Sequence, residues 1–323
     1  MIILNYSPLL KKRAFPNFIF TFNLLLLSDY IYIFAHYFFE MQIFEHIPPI
    51  IREIKKLKQN GKTIGFVPTM GAFHQGHMSL IHSSKKENDI TVISIFVNPT
   101  QFNNKNDLVN YPRTLDDDSV KLKSCLSHKD IVFIPSEKEM YHKKDKKVFY
   151  FGNLDKVMEG KYRKGYFNGV ALIVSKLFKI ITPDKVYFGE KDFQQLVIIK
   201  RLIKNLQLPV QIIPRPIVRE KDGLAMSSRN VLLSEEQRKN ATVIFRTLTE
   251  AKKLSHNLSV EETKQWVINK INSTPLLQVQ YFEIVDSIEL QPINNWKEDK
   301  EKIGCVAVKA GKYRLIDNIR FDI

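Results

Sequence analysis

Two histidines separated by three positions are the residues best suited to chemistry in this chain. His74 and His77 lie in PTMGAFHQGHMSLI (68–81), after the apolar run TIGFV and before a helical pattern of apolar residues. The sequence therefore predicts a strand, a turn and a helix that begins beside the histidines. A helix N-terminus has free N–H groups and a partial positive charge, so this turn suits a phosphate. Gly71 and Gly76 would let a nucleotide approach the backbone closely.

Two other interpretations of the histidine pair stay open at this point. The pair could bind zinc, but zinc normally has three or four protein ligands, and no third candidate stands in register. The histidines could also cap the helix without any further role.

Two more polar groups follow predicted strands. GEKD (189–192) offers a glycine that leaves room beside the strand end, Lys191 to neutralise phosphate, and Asp192 to hold a ribose hydroxyl or a metal. The alternative is a polar helix N-terminus with a capping carboxylate. Gln101 and Gln195 each offer an amide donor and an acceptor to a small polar substrate, although a surface glutamine is the alternative for each.

A second loop could complete a phosphate site. REKDGLAMSSRN (219–230) places Ser227 and Ser228 before Arg229, after a glycine. Short hydroxyl donors and one forked cation can surround a triphosphate and stabilise charge on a leaving pyrophosphate. An ordinary serine-rich helix cap is the alternative.

The elements that must position these residues alternate between strands and helices. Near-continuous apolar runs predict five strands, TIGFV, DITVISIFV, DIVFIPS, KVYFG and PVQIIPRPIV, with helical patterns between them. This pattern predicts a Rossmann-like, doubly wound parallel α/β sheet. Ligands of such sheets bind beyond the carboxyl ends of the strands, where the polar motifs lie.

The pattern changes after about residue 216. A helical stretch (235–272) is followed by the short strands VQYFEIVD and CVAVKAGKYRLID. We therefore expect a nucleotide-binding domain at 41–216 and a smaller α+β domain at 217–323, which carries the Ser-Ser-Arg loop.

Composition is that of a globular protein with an anionic partner. The 323 residues are 44% hydrophobic and 26% charged, and the net charge of +15 favours phosphorylated small molecules, nucleic acid or a membrane surface. Only two cysteines occur, without a CxxC motif or a secretory cleavage pattern, which indicates a reducing, cytoplasmic location.

The first 40 residues differ from the rest of the chain. A basic KKR precedes a long run rich in Phe and Leu, which is long enough to span a bilayer. Asp29, Asn23, His36 and Pro16 interrupt it, and the sequence after Met41 already supplies the start of the sheet. We expect residues 1–40 to be an extension outside the fold, arising from a spurious start, with a membrane anchor or a targeting segment as the alternative.

Six motifs in order resemble one family. PTMGAFHQGHMSLI, ISIFVNPTQF, YPRT, FGEKDFQQL, DGLAMSSRN and RLIDNI are similar to those of the pantothenate synthetase (pantoate–β-alanine ligase) family. That family belongs to the adenylating superfamily that includes class I aminoacyl-tRNA synthetases. The resemblance runs from about Met41 to the C-terminus. It implies a homodimeric ligase that uses ATP and Mg²⁺ to condense pantoate with β-alanine through a pantoyl adenylate.

The resemblance also implies roles for individual residues. His77 would donate hydrogen bonds to the phosphates, and the catalytic group would further comprise His74, Lys191, Ser227, Ser228 and Arg229. Gln101 would bind pantoate and the incoming β-alanine, and Gln195 would bind pantoate. No metal ligand is assigned. The ATP site would contain Met70, Gly71, Ala72, Phe73, His74, Gln75, Gly76, His77, Gly189, Glu190, Lys191, Asp192, Val218, Met226, Ser227, Ser228 and Arg229.

The chain departs from the family near the substrate pocket. Many members read Gly-His-Phe-Arg-Gly-Val where this chain has GYFNGV (165–170), so Tyr166 and Asn168 replace an imidazole and a guanidinium. Lys164 and His142 stand where proline is common. These departures affect the details of pocket closure and leave the adenylation motifs intact.

Two rival functions are distinguishable by simple assays. A nucleotidylyltransferase of the same superfamily would stop after transferring AMP, so its AMP release would not depend on β-alanine. A non-catalytic RNA-binding protein would bind RNA in a salt-sensitive way, but the chain has no basic patch interleaved with aromatic residues. We therefore expect no nucleic-acid partner and no stable membrane association.

Overall fold

The structure, a computed structural model, describes residues 41–103, 105–141 and 147–323. The predicted extension at 1–40 lies outside the described residues, so that prediction stays open, as does the departure at His142. Within the described part, the strands form one six-stranded parallel sheet and one three-stranded antiparallel sheet.

The parallel sheet has the strand order β1-β4-β3-β2-β5-β6. From β2, the chain adds β3 and then β4 on one side. It then returns to add β5 and β6 on the other side of β2. The order therefore reverses between β2 and β5, and a ligand crevice is expected at that point. The strands are β1 Gln42–Phe44, β2 Ile64–Thr69, β3 Ile90–Ile95, β4 Ile131–Phe133, β5 Lys185–Gly189 and β6 Gln211–Arg215.

Helices connect and cover these strands. Short 3₁₀ turns at Pro99–Gln101, Glu190–Asp192 and Asn230–Leu232 follow β3, β5 and the Ser-Ser-Arg loop. The described α-helices are α1 Ile47–Gln59, α2 Gln75–Glu87, α3 Lys105–Val109, α4 Leu115–Lys123, α5 Glu137–Met140, α6 Met158–Tyr162, α7 Tyr166–Ile181, α8 Phe193–Asn205, α9 Glu235–Leu254 and α10 Val260–Asn272.

The C-terminal part consists of α9, α10 and the antiparallel strands β7 Leu277–Asp286, β8 Lys302–Ala310 and β9 Tyr313–Phe321. The predicted helical stretch at 235–272 is divided into two helices. Ser259 begins α10 with a capping box, in which its hydroxyl accepts from the Glu262 N–H.

Burial explains why the strands read as continuous apolar runs. Phe66 and Val92 on the central strands are fully buried, as are residues on both faces of β2 and β3. This confirms the predicted Rossmann-like α/β fold with a smaller sheet at the C-terminus. No helix in the described ranges is both long enough and apolar enough to cross a membrane.

Candidate active site

A cleft of about 490 Å³ lies at the carboxyl ends of β2 and β5. That size and position suit a nucleotide-sized ligand. The predicted residues Gly71, Ala72, Phe73, Gln75 and Glu190 do not line it. The predicted residues that do line it are Met70, His74, Gly76, His77, Gln101, Gly189, Lys191, Asp192, Gln195, Val218, Met226, Ser227, Ser228 and Arg229.

The turn after β2 is held by a buried carboxylate. Both oxygens of Asp118 accept backbone N–H groups, from Ala72 and Phe73, each at 2.7 Å. Gly71 has a φ of +80°, which favours glycine, and an added Cβ would lie 3.0 Å from Asp118 Oδ2. Asp118, Gly71, Ala72 and Phe73 do not line the cleft, but they fix the turn that presents the histidines.

The two histidines are neutral donors. Nδ1 of His74 accepts from the Gly76 N–H at 3.1 Å, and Nδ1 of His77 accepts from the His74 N–H at 3.4 Å. A neutral imidazole with an accepting Nδ1 carries its proton on Nε2. Burial, and then the Lys191 charge, lower the pKa of His74 to about 4. Burial and the neighbouring His74 lower the pKa of His77 well below its usual value.

The low pKa of His74 predicts that acid destabilises the fold. Below pH 6.5 the unfolded chain protonates this imidazole, whereas the folded chain keeps it neutral down to about pH 4. The unfolded state binds more protons in this window, so stability falls as the pH falls. Through this residue alone, the free energy of unfolding should drop by about 2 kcal/mol between pH 7.5 and pH 5.

Urea unfolding at both pH values checks this prediction. The variant His74→Asn keeps an oxygen that can cap α2 and should lose less stability in acid than the wild type. His82→Asn, at an exposed position of the same helix, should behave like the wild type. Equal acid-induced losses in the wild type and in His74→Asn would contradict the low pKa.

The GEKD turn lies across the cleft from the histidines. Apart from its two neighbours in the chain, no described residue has an atom within 4 Å of a Cβ added at Gly189, so the space beside the end of β5 is open. Burial lowers the pKa of Lys191, and its ammonium forms no ion pair with any described residue. Asn318 on β9 fixes the turn by donating to the carbonyls of Glu190 and Lys191, at 2.8 and 3.0 Å.

The Ser-Ser-Arg loop closes over the turn after β2. Ser228 Oγ donates to the Ala72 carbonyl at 2.9 Å, which joins the two motifs that were predicted to bind phosphate. Arg229 donates to the Asp107 carboxylate at 3.0 to 3.3 Å, and its guanidinium lies 5.2 Å from the centre of the Tyr111 ring. The arginine therefore lines the cleft in an orientation that α3 and its following loop maintain.

Gln101 is buried and oriented by its neighbours. Its Oε1 accepts from Asn98 Nδ2 at 3.0 Å, and its Nε2 lies 3.0 Å from Met70 Sδ. Asn98 Nδ2 also donates to the Gly169 carbonyl at 3.1 Å. An added Cβ at Gly169 would lie 2.2 Å from the Thr100 carbonyl oxygen, so the 3₁₀ turn can pack on α7 only if this residue is glycine.

The two family departures occupy different places. Tyr166 lines the cleft and donates from Oη to Gln195 Oε1 at 3.0 Å. Asn168 does not line the cleft. Its Oδ1 accepts from the Phe149 N–H and its Nδ2 donates to the Lys147 carbonyl, so it braces the preceding segment.

Sequence reasoning missed the residues that hold the site residues in place. These are Asn98, Asp107, Tyr111, Asp118 and Asn318. Asn98, Tyr111 and Asn318 lie inside the family-like motifs NPTQF, YPRT and RLIDNI, which was a signal that each has a role. Asp118 ends a run of three aspartates, which gave no such signal.

Most carboxylates on the cleft wall are paired with arginines. Asp107 pairs with Arg229, Glu159 with Arg314, and Asp317 with Arg219. Asp192 also lines the cleft, and it forms no ion pair with a described residue. In the described ranges, no three His, Cys, Asp or Glu side chains are grouped so that they could hold a metal ion. The arrangement suits binding of a polyphosphate and stabilisation of charge on it.

The chain is similar to known proteins over nearly the whole described range. The profile of a family described as pantoate-beta-alanine ligase matches residues 42–320. A pantothenate synthetase of Azobacteroides pseudotrichonymphae is 52% identical over 281 residues, covering 87% of this chain and 100% of that protein. A pantothenate synthetase of Porphyromonas gingivalis is 49% identical over 282 residues, covering 87% of this chain and 100% of that protein.

Solved structures share the fold. A pantothenate synthetase from Thermus thermophilus matches with a TM-score of 0.81 and 36% identity, over 87% of this chain and 99% of that one. A pantoate-beta-alanine ligase from Francisella tularensis, solved in complex with beta-gamma ATP and beta-alanine, matches with a TM-score of 0.74 and 38% identity. That match covers 88% of this chain and 99% of the other. The similarity therefore includes every element that borders the cleft.

Proposed function

Because the chain belongs to the pantoate-beta-alanine ligase family, we propose that its cleft is the site at which ATP drives the joining of pantoate to β-alanine. The chain is an ATP-dependent pantoate–β-alanine ligase. One observation carries the assignment of its site. The Ser228 hydroxyl bonds to the Ala72 carbonyl, so the histidine turn and the Ser-Ser-Arg loop face one cleft that also contains both glutamines.

The first step forms a pantoyl adenylate. A carboxylate oxygen of pantoate attacks the α-phosphorus of ATP, a P–O bond forms, and the bond to the bridging oxygen of the β-phosphate breaks. Negative charge develops on the leaving pyrophosphate. We assign its stabilisation to the Nε2–H groups of His74 and His77, to Lys191, to the hydroxyls of Ser227 and Ser228, and to Arg229.

The second step forms the amide. The neutral amine of β-alanine attacks the carbonyl carbon of the adenylate. The C–N bond forms, the C–O bond to AMP breaks, and the nitrogen loses one proton to water and keeps the other as the amide N–H. Gln101 lies on the wall where it can contact both acids, and Gln195 is assigned to pantoate. No side-chain nucleophile is needed, so positioning and exclusion of water account for this step.

Mg²⁺ fits the donor set of this cleft. Magnesium is usually held by substrate phosphates with one or two carboxylates, so a cluster of three protein ligands is not required. Asp192 offers the unpaired carboxylate and is the residue that would hold the ion together with ATP. The bound ion would neutralise part of the phosphate charge.

The oligomeric state and the cellular location of the enzyme are part of the same proposal. A homodimer is supported by the family resemblance, and sedimentation at several concentrations tests it. A cytoplasmic location is supported by the two cysteines, Cys125 and Cys305, both of which are free thiols.

One assay tests the function. The full chain with ATP, Mg²⁺, pantoate and β-alanine should produce pantothenate and AMP in equal amounts. Without β-alanine, AMP release should fall to a small fraction, since the adenylate then has no acceptor. AMP release that is the same with and without β-alanine would favour a nucleotidylyltransferase and contradict the proposal.

A further inference from the structure

The side-chain amide of Gln195 has an oxygen that bonds to protein and an NH₂ group that has no described protein partner. Its Oε1 accepts from Tyr166 Oη at 3.0 Å. No hydrogen bond to a described protein atom is formed by its Nε2, which borders the cleft with the rest of the side chain. An amide held in this way turns its two N–H donors toward a ligand, because the side of the group that carries the oxygen is engaged by the phenol.

Tyr166 itself is held firmly. It is the first residue of α7 and only 8% exposed, and its backbone N–H donates to the Arg163 carbonyl at 3.0 Å. The Arg163 guanidinium lies 3.5 Å from the centre of its ring, and the Phe167 ring meets it edge-on at 5.0 Å. A ring fixed from two sides places its hydroxyl at one point, so the hydrogen bond to Gln195 is made by a rigid donor.

The side-chain oxygen of Gln101 is held in a similar way to that of Gln195. Its Oε1 is occupied by Asn98 Nδ2. Both cleft glutamines therefore use their side-chain oxygen to accept from protein, but the Gln101 NH₂ group also donates to Met70 Sδ, whereas the Gln195 NH₂ group has no described protein partner. N–H donors of this kind match the carboxylate and hydroxyl oxygens of pantoate.

We propose that Tyr166 is a positioning residue that fixes the Gln195 amide with its NH₂ group toward pantoate. The proposal rests on the function proposed above. Tyr166 thereby sets the affinity for the hydroxy acid, while ATP and β-alanine are held by other groups. Without the phenol, the Gln195 amide loses the hydrogen bond that fixes its orientation, so its oxygen can turn toward an acceptor on the substrate.

The test is Tyr166→Phe in the full chain. This change keeps the ring, its contact with Arg163 and its contact with Phe167, so the melting temperature should stay close to that of the wild type. KM for pantoate should rise about 3- to 10-fold, which is the usual effect of one hydrogen bond. KM for ATP and KM for β-alanine should stay unchanged. Pantoate-dependent exchange of pyrophosphate into ATP, without β-alanine, measures the pantoate effect separately.

A matched control and a double-mutant cycle separate positioning from a general structural effect. Tyr162→Phe removes a phenol that donates at 3.0 Å to the Gln280 carbonyl, outside the cleft, and should leave all three KM values unchanged. If Tyr166 acts through Gln195, adding Tyr166→Phe to Gln195→Ala should change KM for pantoate by less than about twofold.

The outcomes distinguish this inference from the function on which it rests. A wild type that shows no pantoate-dependent exchange contradicts the proposed function. An active wild type with an unchanged KM for pantoate in Tyr166→Phe overturns the inference alone. The inference is also overturned if Tyr166→Phe changes KM for pantoate as much in the Gln195→Ala background as in the wild type. A rise in KM for ATP instead of KM for pantoate would overturn it too.

Discussion

Replacing His77 with alanine should lower the rate of adenylation by about 10²- to 10³-fold, the usual cost of removing one preorganised donor to developing charge. The physical reason lies in the tautomer. Nδ1 of His77 accepts from the His74 backbone N–H, so Nε2–H is left to donate into the cleft. Burial keeps the pKa of His77 well below its usual value, so the donor is a neutral imidazole. Rapid-quench measurement of pyrophosphate release in the first turnover checks the prediction.

Two further variants make this test specific. His82→Ala, at an exposed position of α2, should stay within about twofold of the wild type because it lies far from transition-state charge. His77→Gln keeps an N–H donor and should recover part of the lost rate. A His77→Ala enzyme with a near wild-type rate would show that this imidazole does not contact the phosphates.

Replacing Arg229 with alanine should reduce adenylation by a similar factor, about 10²- to 10³-fold, and should affect amide formation much less. We assign Arg229 to the pyrophosphate, which leaves in the first step. The forked guanidinium is already oriented by the Asp107 carboxylate, so little entropy is lost when it engages phosphate. Single-turnover rates with ATP and pantoate measure the first step.

Supplying synthetic pantoyl adenylate separates the two steps. With this intermediate and β-alanine, the Arg229→Ala enzyme should regain most of its amide-forming rate. Arg238→Ala is the matched control, since that arginine pairs with Asp222 outside the cleft and its loss should change neither step. A rescued rate as low as the ATP-dependent rate would place Arg229 in the second step or in folding.

Local sequence patterns predicted many of the strands and turns of this protein. The apolar runs at 64–69, 90–95, 131–133 and 185–189 are strands in the structure because buried parallel strands need apolar side chains on both faces. The turn after β2 was recognisable because glycines and a helix start leave a local signature. The exact division between α9 and α10 was missed, although Ser259 and Glu262 form a capping box that could have predicted it.

The motifs also indicated which residues would meet. Strands of a parallel sheet end at one edge, so polar residues after β2, β3 and β5 had to approach one another. The cleft does contain His74, Gln101 and Lys191. The sequence could not tell which members of each motif line the cleft, because that depends on side-chain direction within an irregular turn. Residues such as Ala72 and Glu190 instead face away from it, and their carbonyls accept from Ser228 and Asn318.

What the sequence by itself determined is the family, the parallel α/β sheet implied by alternating elements, and the residues that we propose to contact phosphate and substrate. What only the tertiary structure decided is how those residues are held. Asp118 lies 46 positions from Ala72, Asp107 lies 122 from Arg229, and Asn318 lies 127 from Lys191. A hydrogen bond depends on the distance and angle between two atoms, and chain separations of this size leave no periodic pattern that could reveal such partners. The protonation of His77 follows from burial and from the hydrogen bond that its Nδ1 accepts from His74, and the orientation of Gln195 follows from Tyr166. Burial and hydrogen-bond geometry are properties of the folded chain.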